Sequence, residues 1–390
     1  MRDRYDLVVV GAGPVGSTLA RLVAENGFSV LILEKDREVG LPVRCAEAVS
    51  NRSITRLVDM RPVWIAATIG KFRFNAPDGT QVLIDLGESG YVLHRKLFDA
   101  DLAAMACDAG AHLITKACVN GLDRAGDTIC GVKYMHQGKQ RIVRAAIVAG
   151  TDGVESRVGR WAGIDTATSI SDMESCAQYT LSGVDGPDNI CDFYFGNVIA
   201  PEGYLWVFPK GNKTANVGIG ISGSAARTRS ASAWLRDFVQ RRMPDAGVLT
   251  TIAGGVPCAI TLEHIVKGNV VLAGDAAHQV NPLSGGGITS GMRAAELAAH
   301  SVVQALRNND IGMLRAYEKD WEDLLGAKHR MYHRIKEAVH HFPDDVLNRI
   351  ASTMVSLPPD KHTVWHVLKV ALTRHPTLIW DMIKTFGLKL

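Results

Sequence analysis

No uninterrupted apolar run in this chain reaches the roughly 18 residues that a membrane-crossing helix requires, so no transmembrane segment is expected. The first strand begins almost at once, and no signal peptide is expected before it. Charge of one sign is scarce: 43 Lys+Arg against 40 Asp+Glu leaves +3, which is not the footprint of a nucleic-acid binder. Seven cysteines without a signal peptide argue against a disulfide framework and for a reducing cytoplasm. No cysteine quartet has iron–sulfur spacing, and no metal site is expected. Internal repeats and low-complexity linkers are missing too. What remains is 390 residues, 47% of them hydrophobic, enough for a large core in one or two domains.

Near the start, the apolar run Leu7-Val8-Val9-Val10 reads as a buried parallel strand. Gly11, Gly13 and Gly16 follow at G-x-G-x-x-G spacing: the first for a tight turn, the second for close approach of a pyrophosphate, the third for helix packing. A helix from about Val15 to Asn26 aims its N-terminal amides at that anion, and Gly27 stops it. The second strand, Ser29 to Leu33, ends at Glu34. A carboxylate there accepts hydrogen bonds from both ribose hydroxyls of adenosine and repels a 2′-phosphate, which argues against NADP.

Far downstream, Val270 to Ala273 again reads as a strand, and Gly274-Asp275 ends it. Asn281-Pro282-Leu283-Ser284-Gly285-Gly286-Gly287-Ile288 then opens a helix over about 288–307, whose exposed amides suit negative charge on a reduced flavin. Asp275 alone reads equally as a helix N-cap. The ordered strand, Gly-Asp, Pro and triple Gly point instead to FAD. Between the two segments, the strand ending at Gly150 leads into Asp152-Gly153, a pattern like the Asp-Gly fingerprint of flavin hydroxylases, whose Asp supports the FAD site. The Arg of that fingerprint falls one place late, at Arg160.

The expected architecture is α/β (α+β): a Rossmann-like FAD-binding domain of the glutathione-reductase/aromatic-hydroxylase type, discontinuous over 1–60, 91–165 and 264–305. An antiparallel β-sheet substrate domain is inserted at 61–90 and 166–263, and 306–390 is helical. Phe72 to Leu86 alternates around Pro77-Asp78-Gly79 and predicts a hairpin. Residues 193–222 carry two strands around a Lys210-Gly211-Asn212-Lys213 turn. In the strand reading, Tyr204, Trp206 and Phe208 point one way and Leu205 and Val207 the other. The first set is either ordinary sheet core or a wall for a flat apolar ligand.

Three further stretches are Pro42-Val43-Arg44-Cys45-Ala46-Glu47-Ala48, Gly90-Tyr91-Val92-Leu93-His94-Arg95, and Pro201-Glu202-Gly203-Tyr204-Leu205-Trp206-Val207-Phe208-Pro209. On these the chain resembles the geranylgeranyl reductase family over nearly its whole length, most closely its archaeal members, which saturate digeranylgeranylglycerophospholipids. The resemblance implies an FAD-dependent reductase of C=C bonds. It implies that Val15 and Glu34 bind the adenosine half of FAD and that Val119 meets adenine through its backbone. Arg95 would bond the pyrophosphate or ribityl region. Arg44, Cys45, Ala46 and Ala48 would lie along the cofactor, and Asp275, Gly286, Gly287 and Ile288 would hold the ribityl chain and flavin ring. The Pro-x-x-Tyr-x-Trp-x-Phe-Pro stretch, through Tyr204, Trp206, Phe208 and Pro209, would bind substrate. Two departures stand out. Ala46 and Ala48 replace glycines of the family loop and would be strained at positive φ, and Asn281 replaces the Asp before Pro282.

Alkene saturation needs a hydride, from reduced FAD, and a proton. Cys45 is the candidate catalytic residue, as proton donor or transient thiol partner; plain packing is the alternative. His278 reads as a helix-start residue. No second dinucleotide fingerprint is present, so the electron donor is expected to be a ferredoxin-like carrier, a reduced nicotinamide or a deazaflavin. A prenylated glycerophospholipid is the expected substrate, with peripheral membrane contact. Near the C-terminus Val364, Trp365, Leu368, Ala371 and Leu372 share a helical face, continued by Ile379, Trp380, Ile383 and Phe386, with Lys369, Arg374, Lys384 and Lys389 off it. That face either packs on the protein or lies in a membrane interface. His329, Arg330, His333, Arg334 and Lys336 read as a solvated basic helix face. The rival functions are reduction of another isoprenoid, a chlorophyll or menaquinone side chain, and aromatic hydroxylation with NAD(P)H and oxygen.

Overall fold

The computed structural model describes residues 2–373 and 376–386. Arg374 and Lys389 therefore lie outside the described residues. The chain divides into two compact units: residues 1–43, 95–167 and 259–329, and residues 44–94, 168–258 and 330–390.

The first unit is built on a sheet whose central strand is Arg4–Val10. It pairs in parallel with Val30–Leu33 on one side and with Lys139–Gly150 on the other. His112–Ile114 extends the first side, and Val270–Leu272 the second, both in parallel. The run Leu7 to Val10, Leu31 to Leu33 and Ile147 to Ala149 is buried, as a sheet covered on both faces requires. Helices Pro14–Ala24, Arg95–Asp108 and Ile288–Asn308 pack together over it. An antiparallel meander, Ala117–Ala125, Thr128–His136 and Lys139–Gly150, completes this unit and is not legible in the sequence periodicity alone.

The second unit is an eight-stranded sheet in the order Gly247–Pro257, Met173–Ser182, Thr214–Ser222, Gly203–Pro209, Ile190–Tyr194, Ile65–Asn75, Gln81–Leu93, Ala48–Ser50. All neighbours are antiparallel except Ile190–Tyr194 with Ile65–Asn75. Leu181, Leu205, Val207, Val217 and Ile219 form one face and bury Leu235 and Phe238 of helix Ala231–Arg242. Ala67, Ile69, Val92, Cys191, Trp206 and Phe208 form a cluster on the other. The hairpin end is covered by Ala351 and Met354 of helix Asp344–Ser356 and by Val367 and Val370 of helix Val364–Ala371.

The borders differ most from the expected ones in two segments, with smaller differences at 91–94, which groups with the second unit, and at 259–263, which groups with the first. Segment 44–60 groups with the inserted sheet, because Ala48–Ser50 pairs with residues 90–92. Segment 306–329 groups with the dinucleotide unit, because Leu314, Tyr317 and Trp321 enter its core.

Candidate functional site

In the first unit the glycine loop has the geometry its spacing requires. Gly11 has φ +102°, and a Cβ there would meet the Thr151 carbonyl at 2.5 Å. A Cβ on Gly16 would stand 2.0 Å from the Gly11 carbonyl oxygen, so the helix could not pack so closely. Gly13 differs: a Cβ there would meet no protein atom within 4 Å. Open space thus lies where helix Pro14–Ala24 presents its first amides, and a pyrophosphate fits it. Glu34 is held over this loop, accepting from Ala12 N and Asp36 N at 2.8 Å each. Val119 is buried in strand Ala117–Ala125, whose first amide bonds the Glu34 carbonyl at 2.8 Å.

Two further carboxylates of this unit fit a polar ligand. Asp152 Oδ2 accepts from Val158 N at 3.0 Å, while Oδ1 is buried with no protein partner. Burial raises its carboxyl above the usual range, against the backbone amides that lower it. Gly153 follows at φ +71°. Asp275 lies in the turn Gly274–Ala277. Burial raises its carboxyl too, opposed by the charge of Arg95. Arg95 itself is fixed by two bonds to Asp99, at 2.6 and 2.8 Å. Val15 fills the space over Gly274 and Gly291: a Cβ on either would stand 2.9 or 2.6 Å from its methyl. A Cβ on Gly287 would crowd Asp275 Oδ1 at 2.9 Å. Gly286 and Gly287 lead directly to Ile288, the first residue of helix Ile288–Asn308, which has no side-chain cap. Asn281 Oδ1 accepts from Leu283 N and Ser284 N, so the replaced Asp is matched as an acceptor but not as a charge. His278 ends the turn Gly274–Ala277 in the left-handed region at φ +55° and is buried.

In the second unit side chains stand in rows across the sheet face that carries the aromatic residues. Tyr204, Gly220 and Cys176 are paired across three strands, as are Trp206, Gly218 and Gln178, and Phe208, Asn216 and Thr180. Directly opposite residues share a face, so each row is contiguous. The Trp206 ring lies on Gly218, where a Cβ would meet it at 2.3 Å. Phe193 stands 5.6 Å from Tyr204 and 5.3 Å from Phe208, centroid to centroid. Trp206 and Phe208 are 7% and 5% exposed, and only Tyr204 of the three is half-buried. Pro209 ends the strand, buried. A cavity of about 240 Å³ adjoins this face, lined in part by Ala48, Ile69, Phe72, Leu86, Tyr91 and Cys191.

The 44–48 loop is tied to these rows. Trp206 Nε1 donates to Gln178 Oε1, and Gln178 Nε2 donates to the Cys45 carbonyl, both at 3.0 Å. Cys45 is half-buried, its Sγ accepting from Glu47 N at 3.2 Å; Arg44 is exposed. The strain expected at Ala46 and Ala48 is not there. The left-handed residue is Glu47, at φ 73°, and both alanines keep negative φ. Glu47 is buried and bonded by Lys210 and Asn216, which hold it in that conformation. Lys210 also donates to the Leu93 carbonyl at 3.0 Å.

The basic stretch is not a solvated face. His329 and Lys336 are 3% and 2% exposed. Lys336 donates to Asp172 and to the Cys258 carbonyl, and His333 stands 2.8 Å from Asp172. Only Arg330 and Arg334 of the five are exposed. Glu47, Gln178, Lys210, Asn216 and Glu174 were not singled out from the sequence. Glu47 lies two residues after Cys45 in the same motif and Lys210 directly follows Pro209, but the pairing exists only in the folded sheet.

The geranylgeranyl reductase catalytic domain family matches residues 172–256, and the NAD(P)-binding Rossmann-like domain family matches residues 9–70. A digeranylgeranylglycerophospholipid reductase of Methanococcoides burtonii is 41% identical over 388 residues, covering 98% of this chain and 96% of the relative. The digeranylgeranylglycerophospholipid reductase of Methanosarcina mazei is 41% identical over 392 residues, with the same coverage. Among solved structures, a geranylgeranyl bacteriochlorophyll reductase-like protein of Thermoplasma acidophilum superposes with a TM-score of 0.91 at 32% identity, covering 98% of this chain and 99% of that one. A flavin-dependent brominase shares the fold at a TM-score of 0.75 and 17% identity.

Proposed function

The chain belongs to the geranylgeranyl reductase family, and on that premise we propose that it saturates the C=C bonds of geranylgeranyl chains in digeranylgeranylglycerophospholipids, precursors of archaeal membrane lipids. It is an FAD-dependent oxidoreductase. The observation that carries the substrate assignment is 41% identity, nearly end to end, to relatives that bear that activity in their names.

FAD, once reduced, supplies the hydride. In this reading Gly11, Gly13 and Gly16 shape the pyrophosphate site at the amides of helix Pro14–Ala24. Glu34 takes the adenosine ribose, while Val15 and the backbone of Val119 border the adenosine half. Asp152 and Gly153 border the cofactor, Asp152 with its unpartnered oxygen. Asp275, Gly286, Gly287 and Ile288 hold the ribityl chain and ring, and Arg95 adds positive charge beside Asp275. Arg44, Cys45, Ala46 and Ala48 are assigned to the cofactor by the family resemblance of their loop, with Cys45 its candidate thiol. Tyr204, Trp206, Phe208 and Pro209 make the prenyl wall, which positions a flat apolar chain and excludes water. An isolated alkene is a poor hydride acceptor, so the reaction depends on a proton held ready at the second carbon.

Among the described residues no helix is long and apolar enough to cross a membrane. We place the protein in the cytoplasm, peripheral on the membrane that holds its lipid, with electrons from a ferredoxin-like carrier or from a reduced nicotinamide or deazaflavin.

The test is anaerobic incubation of digeranylgeranylglycerophospholipid with the dithionite-reduced holoprotein, read by mass spectrometry. Gains in steps of two hydrogens are expected. No gain on this lipid but gain on a geranylgeranylated chlorophyll or a menaquinone moves the protein to that substrate. Addition of one oxygen atom in an aerobic run with NAD(P)H replaces the reductase by a hydroxylase.

A further inference from the structure

Each double bond saturated consumes a proton, and the aromatic wall that positions the alkene is apolar. One row beyond Tyr204, at the end of the same sheet face, stands a carboxyl that no binding role has claimed. Glu174 is paired across strands with Ser222, one step from the Cys176, Gly220 and Tyr204 row. Its residue is 9% exposed, and its Oε2 is buried with no hydrogen-bond partner. Its other oxygen faces His340, whose Nε2 is 3.5 Å away.

We propose that Glu174 is the proton reservoir of the prenyl pocket, recharged from solvent along His340, Glu202 and His341. The inference rests on the alkene-reductase reading. Bound reduced FAD would supply the hydride, with its electron pair, to one alkene carbon. The proton leaves the Glu174 carboxyl for the other carbon, at the Tyr204 end of the wall, and solvent returns a proton to the carboxylate.

The surroundings suit that duty. Burial is the main influence on Glu174 and pushes its carboxyl up to about 7. Lys336 opposes this, and the negative charges of Glu202 and Asp172 add to it. The group is therefore protonated or poised near neutral pH, as an acid that must both give and regain a proton requires. His340 is pushed down to about 4 by burial and by Lys336, so it faces Glu174 as a neutral imidazole. Asp172 remains ionised, since its bonds from His333 and Lys336 outweigh the burial that would raise it. Cys176 and Tyr204, the nearest titratable groups toward the pocket, are both pushed up by burial, Cys176 to about 12, and neither competes for the proton. Outward, the exposed ring of His341 stands 3.1 Å from Glu202 Oε1, and Ser222 Oγ donates to the other oxygen of Glu202. The charge of Glu202 acts on both Glu174 and His340, and the His340 and His341 rings stand 6.1 Å apart, so these acids and imidazoles cluster between Glu174 and the exposed His341 within one unit of the molecule.

The test is single-turnover alkene reduction by FAD-reduced wild type and Glu174→Gln across pH 5.5–9. Wild type is expected to slow as pH rises through about 7, because the protonated form is the active one. Glu174→Gln is expected to be about 100-fold slower or more, without that pH step, with unchanged substrate affinity and FAD content. Glu174→Asp is expected to restore part of the rate together with a pH step. A Glu174→Gln rate within about threefold of wild type, well below the ~10²-fold that general-acid catalysis supplies, overturns the proposal. A flat wild-type profile overturns it without any variant. Failure of wild type to reduce the lipid at any pH removes the reductase reading itself, and this inference with it.

Discussion

At the scale of the residue, Glu174 has a consequence for folding that is separate from catalysis. Its carboxyl is raised from an ordinary 4.5 to about 7 in the native protein. Between those values the folded state binds more protons than the unfolded state, so native stability falls as pH rises through that window and levels off above it. A shift of that size corresponds to about 3 kcal/mol. Gln cannot titrate, so Glu174→Gln should gain on wild type by up to about 3 kcal/mol between pH 5 and pH 8. Denaturant unfolding of both proteins at the two pH values measures it, and a constant difference would remove the buried-acid reading. The sequence shows Glu174 only as one acid among many, because its burial comes from strand pairing and from a turn more than 160 residues away. Cys45 was legible because its motif is contiguous. The device that sets its loop was not: the strain expected at Ala46 and Ala48 falls on Glu47, whose partners Lys210 and Asn216 arrive from a distant hairpin.

At the scale of the element, the glycine loop and the aromatic strand were legible for the same reason. Each is a local pattern whose period or spacing fixes which way its groups point. Gly13 and Gly16 separate a folding role from a binding role within one loop. A methyl on Gly16 would collide with the Gly11 carbonyl at 2.0 Å, a backbone contact that cannot rotate away. Gly16→Ala should therefore lower the melting temperature of the apoprotein and abolish FAD retention. A methyl on Gly13 would meet no protein atom, and its φ of −68° suits alanine. Gly13→Ala should leave the apoprotein melting temperature within about a degree of wild type, as surface changes within ~0.5 kcal/mol do, yet weaken FAD binding about 100-fold, roughly the 3 kcal/mol of a lost charge-assisted contact. Thermal unfolding and FAD titration of the apoproteins separate the two; equal FAD affinity in Gly13→Ala would move the pyrophosphate elsewhere. The meander over 117–150 and the buried basic helix escaped the sequence because their cause is tertiary. Asp172 and the Cys258 carbonyl draw Lys336 inward, and an isolated amphipathic pattern carries no sign of that.

At the scale of the whole molecule, the reaction proposed here brings a membrane lipid to a protein whose described residues include no spanning helix. The C-terminal helices were open to two readings, core or interface, and their residues divide between them. Of the described residues of that face only Leu372 is fully buried, and the side chains of helix Val364–Ala371 that pack on the core of the second unit are Val367 and Val370, which the face did not include. Val364 and Trp380 remain 42% and 51% exposed, and the Lys384 ammonium lies 5.2 Å from the centre of the Trp380 ring. An aromatic ring beside a lysine is the pairing that a headgroup layer accepts, ring toward the acyl boundary and charge toward phosphate. Binding should accordingly be weak, favoured by anionic lipid and loosened by salt, since one cation and one ring make a small anchor. Flotation with anionic vesicles should recover wild type at low ionic strength and release it as salt is raised. Trp380→Ser should float about tenfold less, the loss of roughly 1.4 kcal/mol, while keeping its FAD and its turnover of detergent-dispersed lipid. Equal flotation of the two proteins would assign the lipid contact to another surface; equal turnover in detergent but slower turnover on vesicles for Trp380→Ser would assign this helix to delivery of the substrate rather than to its chemistry.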